Sequence, residues 1–131
     1  MAKILIIDDN PVIRKLLEKY INEQEGYETV TADDGRSGIE KALRADDGLP
    51  NLIITDVLMP DMNGFEVARA LKTNKKTKDI PIVFVTANDD ETSKTKAQEA
   101  GAAGYIAKPF HKEDILACIK EHLLLFPSIS Q

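Results

Sequence analysis

The chain has 131 residues, 43% hydrophobic and 30% charged, with a formal net charge of −5. That is one domain's worth of chain with enough apolar residues for a real core, and it excludes a disordered chain or a general affinity for nucleic acid or anionic membrane. Cys118 is the sole cysteine, which excludes an internal disulfide and fits a reducing, cytoplasmic setting. No apolar stretch approaches the roughly 18 residues of a membrane span, and the apolar run after Met1-Ala2-Lys3 is too short for a signal peptide.

Ile4-Leu5-Ile6-Ile7 reads as a first strand that stops at Asp8-Asp9. Asn10-Pro11 then signals a helix start, because Asn caps and Pro suits the first helical position. Ile13, Leu16, Leu17, Tyr20 and Ile21 recur on one helical face, and that helix ends near Gly26. Residues 27–32 predict a second strand, closed by a turn at Asp33-Asp34-Gly35. Residues 38–45 predict a second helix with Ile39, Ala42 and Leu43 on one face, and 46–50 a turn. Leu52-Ile53-Ile54-Thr55 is a third strand, stopping at Asp56. Pro60, Asn63 and Gly64 make residues 59–64 a loop. Residues 65–72 predict a third helix and 75–79 a charged connector. Pro81 opens a fourth strand, Ile82-Val83-Phe84-Val85, which stops at Thr86. Residues 90–100 are helical, but Ala97 and Ala100 are the only apolar residues, so this helix packs weakly. After a turn at 101–104, Tyr105-Ile106-Ala107 is a fifth strand, stopping at Lys108-Pro109. Residues 112–125 predict a last helix with Ile115, Ile119 and Leu123 on one face, and Glu113 and Asp114 at its positive end. The excess of apolar residues at 123–126 reads as the end of the core in preference to a partner contact. The domain is expected to span 1–126, with 127–131 a short tail.

Strand and helix alternate five times. This predicts an α/β fold with a five-stranded parallel sheet covered on both faces, doubly wound. Right-handed crossovers restrict the strand order. In the flavodoxin-like order 2-1-3-4-5, the crevice outside the carboxyl ends lies between strands one and three, where Asp8, Asp9 and Asp56 would meet.

Carboxylates converging within a few ångströms repel one another unless a cation joins them. An all-oxygen set with open positions suits Mg²⁺. Zinc is disfavoured, because His111 and His122 lack a ligand set and read as surface groups. A carboxylate can itself attack a phosphoryl group. Asp56, the lone acid at its strand end, is the candidate nucleophile, while the Asp8-Asp9 pair suits the metal. Lys108 and the Thr86 hydroxyl would supply charge and hydrogen bonding. Taken singly, each reads more plainly: Asp9 as a cap or turn former, Thr86 as a cap, Lys108 as a solvated lysine, Tyr105 as a half-buried strand residue. Their joint occurrence at successive strand ends favours a shared site.

Four motifs in order carry a resemblance: Ile-Ile-Asp-Asp-Asn at 6–10, Thr-Asp-Val-Leu-Met-Pro-Asp-Met-Asn-Gly at 55–64, Val-Thr-Ala at 85–87 and Tyr-Ile-Ala-Lys-Pro-Phe at 105–110. From Lys3 to about residue 126 the chain resembles the receiver domain of two-component response regulators, of the chemotaxis and sporulation-phosphorelay type. The resemblance implies that Asp56 accepts a phosphoryl group from a histidine kinase or histidine phosphotransfer protein. It implies that Asp9 binds Mg²⁺ directly, Asp8 through water, and Leu58 through its backbone carbonyl. It implies that Thr86 and Lys108 contact the phosphoryl oxygens, that the Lys108-Pro109 bond is cis, and that Gly64 makes a tight turn. Thr86 and Tyr105 would then switch together, altering the surface of the fourth helix, fifth strand and fifth helix for a downstream protein. Leu58 and Asn88 stand at positions that tune the phosphoryl lifetime in this family, and His111 stands where a better helix cap is common. The resemblance implies a regulator that acts chemically only on its own aspartate, as a monomer or weak dimer with no direct nucleic-acid binding and no membrane insertion. The alternatives are an aspartyl-phosphate hydrolase and a phosphorylation-independent interaction module. The hydrolase resembles a first strand ending Asp-x-Asp, and Asp8-Asp9-Asn10 lacks the second Asp.

Overall fold

Five parallel strands form one sheet in the order β2-β1-β3-β4-β5 in the computed structural model, which describes residues 1–44, 48–87 and 90–124, the Leu124 side chain aside. The elements alternate as β1 (Ala2–Ile7), α1 (Pro11–Asn22), β2 (Tyr27–Ala32), α2 (Gly35–Leu43), β3 (Leu52–Thr55), α3 (Gly64–Lys72), β4 (Ile82–Thr86), α4 (Glu91–Glu99), β5 (Gly104–Ala107) and α5 (Lys112–Leu124). Strand order and the alternation of elements agree with the sequence reading.

The central strands are apolar on both sides because both sides are covered. Consecutive β1 residues enter opposite cores, as a period of two requires. Leu5 and Ile7 join Ile53, Phe84, Val67 and Leu71 on one face, beneath α2 and α3. Ile4 and Ile6 join Leu17, Ile21, Ile54, Val85, Ile115 and Ile119 on the other, beneath α1 and α5. Phe65 packs edge-on against Phe84 with ring centroids 5.3 Å apart.

Two features differ from expectation, the start of α2 and the place of His122. Helix α2 begins at Gly35, three residues before its expected start at Gly38, because Asp34 is its cap: its Oδ1 accepts the Ser37 N–H at 2.7 Å. The residues read as a turn are thus the helix entry. His122 is not a surface group but 4% exposed. Its ring nitrogens lie 2.7 Å from the Cys118 carbonyl and 3.0 Å from that of Ala103, so backbone oxygens replace the lost water. His111 is exposed as expected. The start of α5 is tied by Asp114, whose Oδ2 accepts the His111 N–H at 3.0 Å. Leu123 packs against the α1/α5 core, as the core reading of that segment requires. Asn88, residues 46–47 of the expected turn, and the expectations for 125–131 lie outside the described residues.

Candidate functional site

The sheet register carries the strand ends to one edge. Ile7 stands beside Thr55 in the β1–β3 pairing, and the Asp56 N–H donates to the Ile7 carbonyl at 3.0 Å. Thr86 pairs with Ala107, and the Lys108 N–H donates to the Thr86 carbonyl at 2.8 Å. Residues far apart in sequence therefore leave the sheet within reach of one another.

Asp8, Asp9 and Asp56 each place a carboxylate oxygen within 4.8 Å of the others. Their burial differs: Asp8 is 1% and Asp56 7% exposed, while Asp9 lies open to solvent. Lys108 Nζ stands 3.4 Å from Asp8 Oδ2 and 3.3 Å from Asp56 Oδ2. These are longer than ordinary charge-assisted bonds, so the ammonium is shared between two acids. Burial pushes the Asp8 carboxyl above its ordinary range, and the neighbouring Asp56 adds to that; the Asn10 N–H and Lys108 oppose it. With all three acids ionised, three carboxylates against one ammonium leave two negative charges uncompensated, which a divalent cation would cancel.

The acids are held locally. Asp56 Oδ1 accepts the Val57 N–H at 2.8 Å. Asp8 Oδ1 accepts the Asn10 N–H at 2.9 Å, and the Asn10 side chain in turn caps α1 by accepting from Val12 and Ile13. The loop after β3 carries Leu58, whose side chain is exposed, and Asp61, whose φ of 69° is a left-handed conformation that Asp tolerates better than most residues. That loop closes on the capping box of Asn63 and Glu66, which starts α3. Thr86 is fully buried at the end of β4, and Tyr105 is half-buried against the core on the α2/α3 face. The Lys108-Pro109 bond is cis.

Every acid in the expected set, with Lys108, is thus in one place, and Thr86 ends the strand beside β5. Gly64 differs from its expected role. Its φ is not left-handed; it opens α3, and a Cβ there would sit 2.3 Å from the Asp56 carbonyl oxygen. Close approach, not turn geometry, requires glycine here. Sequence reasoning passed over Arg14, whose Nη1 donates to the Asp8 carbonyl at 2.7 Å. Its placement six residues after Asp8, one turn into α1, was the available signal.

The response regulator receiver domain model matches residues 4–120. The chain belongs to that family. It is 32% identical to the protein PilG of Pseudomonas aeruginosa over 97% of this chain and 91% of PilG. It is 34% identical to PilH of the same organism, over 91% of this chain and 95% of PilH. Among solved structures, the chemotaxis protein CheY4 of Vibrio cholerae is similar with a TM-score of 0.85 and 36% identity, covering 92% of this chain and 98% of CheY4. A receiver domain of a two-component phosphorelay is what this fold and acidic pocket amount to. Among the described residues no helix is long and apolar enough to cross a membrane.

Proposed function

We propose that Asp56 is the phosphoacceptor of this receiver domain, and that Mg²⁺ held by Asp8, Asp9, Asp56 and the Leu58 backbone carbonyl is required for the transfer. The observation that carries this reading is the cluster itself: three carboxylates within 4.8 Å, two of them buried, sharing one lysine. An all-oxygen donor set of this kind fits Mg²⁺, which when bound neutralises charge on the phosphoryl oxygens.

An Asp56 carboxylate oxygen attacks the phosphorus of a phosphohistidine on a histidine kinase or phosphotransfer protein. The O–P bond forms as the P–N bond breaks, and the electron pair leaves with the imidazole nitrogen, which takes a proton from water. Lys108 is already within 3.3 Å of Asp56 and pairs with the incoming oxygens. The Thr86 hydroxyl donates to them. Water later attacks the acyl phosphate, so the domain's chemistry is confined to its own aspartate.

The new charge draws Thr86 inward, and Tyr105 turns further into the space behind it. The α4–β5–α5 face then changes for a downstream protein. Moving such an equilibrium from 1:99 to 99:1 takes about 5.5 kcal/mol. Two charge-assisted contacts at the upper end of about 1.5–3 kcal/mol each, or three of about 2 kcal/mol, suffice. The protein would act in the cytoplasm as a monomer or weak dimer.

Incubation with Mg²⁺ and acetyl phosphate should add one phosphoryl group by intact mass. Chelation of Mg²⁺ should abolish the addition, and Asp56→Asn should remove it. An Asp56→Asn variant labelled as fully as wild type sinks the assignment.

A further inference from the structure

Arg14 lies outside the acid cluster yet holds the segment of chain that carries it. Each polar group of Asp8 is engaged. Its N–H donates to the Ala32 carbonyl at 3.1 Å, its Oδ1 accepts from Asn10 at 2.9 Å, its Oδ2 faces Lys108 at 3.4 Å, and its carbonyl accepts from Arg14 at 2.7 Å. Asp9 is different: its side chain is exposed, and the backbone on either side sets where its Cα–Cβ bond points. The peptide joining Asp8 to Asp9 is planar, so holding the Asp8 carbonyl fixes the plane from which Asp9 departs. On the other side, the Asn10 N–H is tied to Asp8 and the Asn10 carbonyl accepts the Arg14 N–H at 3.0 Å. One residue of α1 thus grips the loop on both sides of Asp9, by its backbone and by its guanidinium.

We propose that Arg14 is a positioning residue for the metal site, its guanidinium holding the Asp8 carbonyl so that the Asp9 carboxylate is aimed at the ion. The proposal rests on the phosphoacceptor reading of Asp8, Asp9 and Asp56. Two effects of Arg14 on a cation oppose each other. As a nearby positive charge it repels the ion; as a clamp it prepays the ordering of a ligand. The clamp dominates, because the guanidinium, although it keeps its full charge against a neutral carbonyl, is only half-buried and that charge is screened by solvent.

The test is Mg²⁺ titration, followed through the amide resonances of Asp9 and Asn10, on wild type, Arg14→Met and Arg14→Lys. Methionine keeps the apolar stem and removes donor and charge; lysine keeps a donor. Arg14→Met should bind Mg²⁺ roughly tenfold more weakly, the lower end of what loss of a ligand-orienting group costs. Arg14→Lys should lie closer to wild type. Labelling by acetyl phosphate should be slow in Arg14→Met at low Mg²⁺ and recover at saturating Mg²⁺, and it is read only in a variant whose amide spectrum without metal is that of a fully folded chain, because metal binding also rescues a partly unfolded one. Should Arg14→Met not fold, as judged by its amide spectrum without metal, Arg14→Gln is read in its place. Binding in the variant equal to wild type, or tighter as loss of a repelling charge alone requires, overturns the proposal. If wild type is labelled at Asp56 in a Mg²⁺-dependent way while the variant is unchanged, the positioning role falls and the phosphoacceptor reading stands. A wild-type protein that binds no Mg²⁺ overturns both.

Discussion

At Gly64 two local effects compete. Helix propensity favours alanine over glycine by up to about 1 kcal/mol. Against that, the added Cβ would meet the Asp56 carbonyl oxygen at 2.3 Å and the Val57 Cα at 3.0 Å, both backbone atoms that cannot swing away. The clash wins, and Gly64→Ala should destabilise the protein by about 1–3 kcal/mol in urea melts. It should also slow labelling of Asp56, because the atom displaced belongs to the phosphoacceptor. Cys118 shows burial acting on chemistry. Burial, with help from the Glu121 carboxylate, pushes its thiol from an ordinary 9.0 up to about 11. Because the folded value is the higher one, the stabilisation from keeping the thiol neutral is whole below pH 9 and is lost as pH rises through about 11. At pH 8 the native thiol should react with a disulfide reagent about a hundredfold more slowly than in urea, from thiolate content alone. Equal rates would place Cys118 outside the core.

Helix α4 is anchored more weakly by its own side chains than α1 or α3. It buries Ser93 and Ala97, where α3 buries Gly64, Val67, Ala68 and Leu71, and α1 buries Leu17 and Ile21. Its start is held by Asp90, whose side chain accepts the Ser93 N–H at 2.8 Å, and that bond holds the carboxyl below its ordinary range. A helix with a good cap and little apolar burial opens locally at low cost. Native-state hydrogen exchange should be at least about tenfold faster in α4 than in α3, a difference of about 1.4 kcal/mol in opening free energy. Equal protection would show that α4 draws stability from contacts beyond its own buried side chains. This weak packing was legible from the sequence, since Ala97 and Ala100 were its only apolar residues. The entry to α2 was not. Asp34, Gly35 and Ser37 are all turn formers by composition, and only the Asp34–Ser37 bond shows that they cap a helix.

Across the whole molecule one sheet serves two cores, and this couples them. Leu5 belongs to the core under α2 and α3, and its neighbour Ile4 to the core under α1 and α5. Both are fully buried. Leu5→Ala and Ile4→Ala should each cost about 2–5 kcal/mol, within a single cooperative transition followed by circular dichroism in urea. A biphasic melt in either variant would mean that the faces unfold separately. The sheet itself was legible because period-two burial on both faces leaves unbroken apolar runs, and the polar residues that stop those runs marked the site. His122 was misjudged because imidazole is polar, and the sequence does not reveal that the Cys118 and Ala103 carbonyls await it. The sequence by itself determined which chemical groups stand at the strand ends, since short apolar runs and their stops are local properties. Only the tertiary structure decided that Lys108 reaches back 100 residues to Asp8 and 52 to Asp56, that Asp8 is buried while Asp9 is open, and that Arg14 grips the chain between them. Those are distances across a closed fold, set by register and crossover, and no local pattern of residues encodes them.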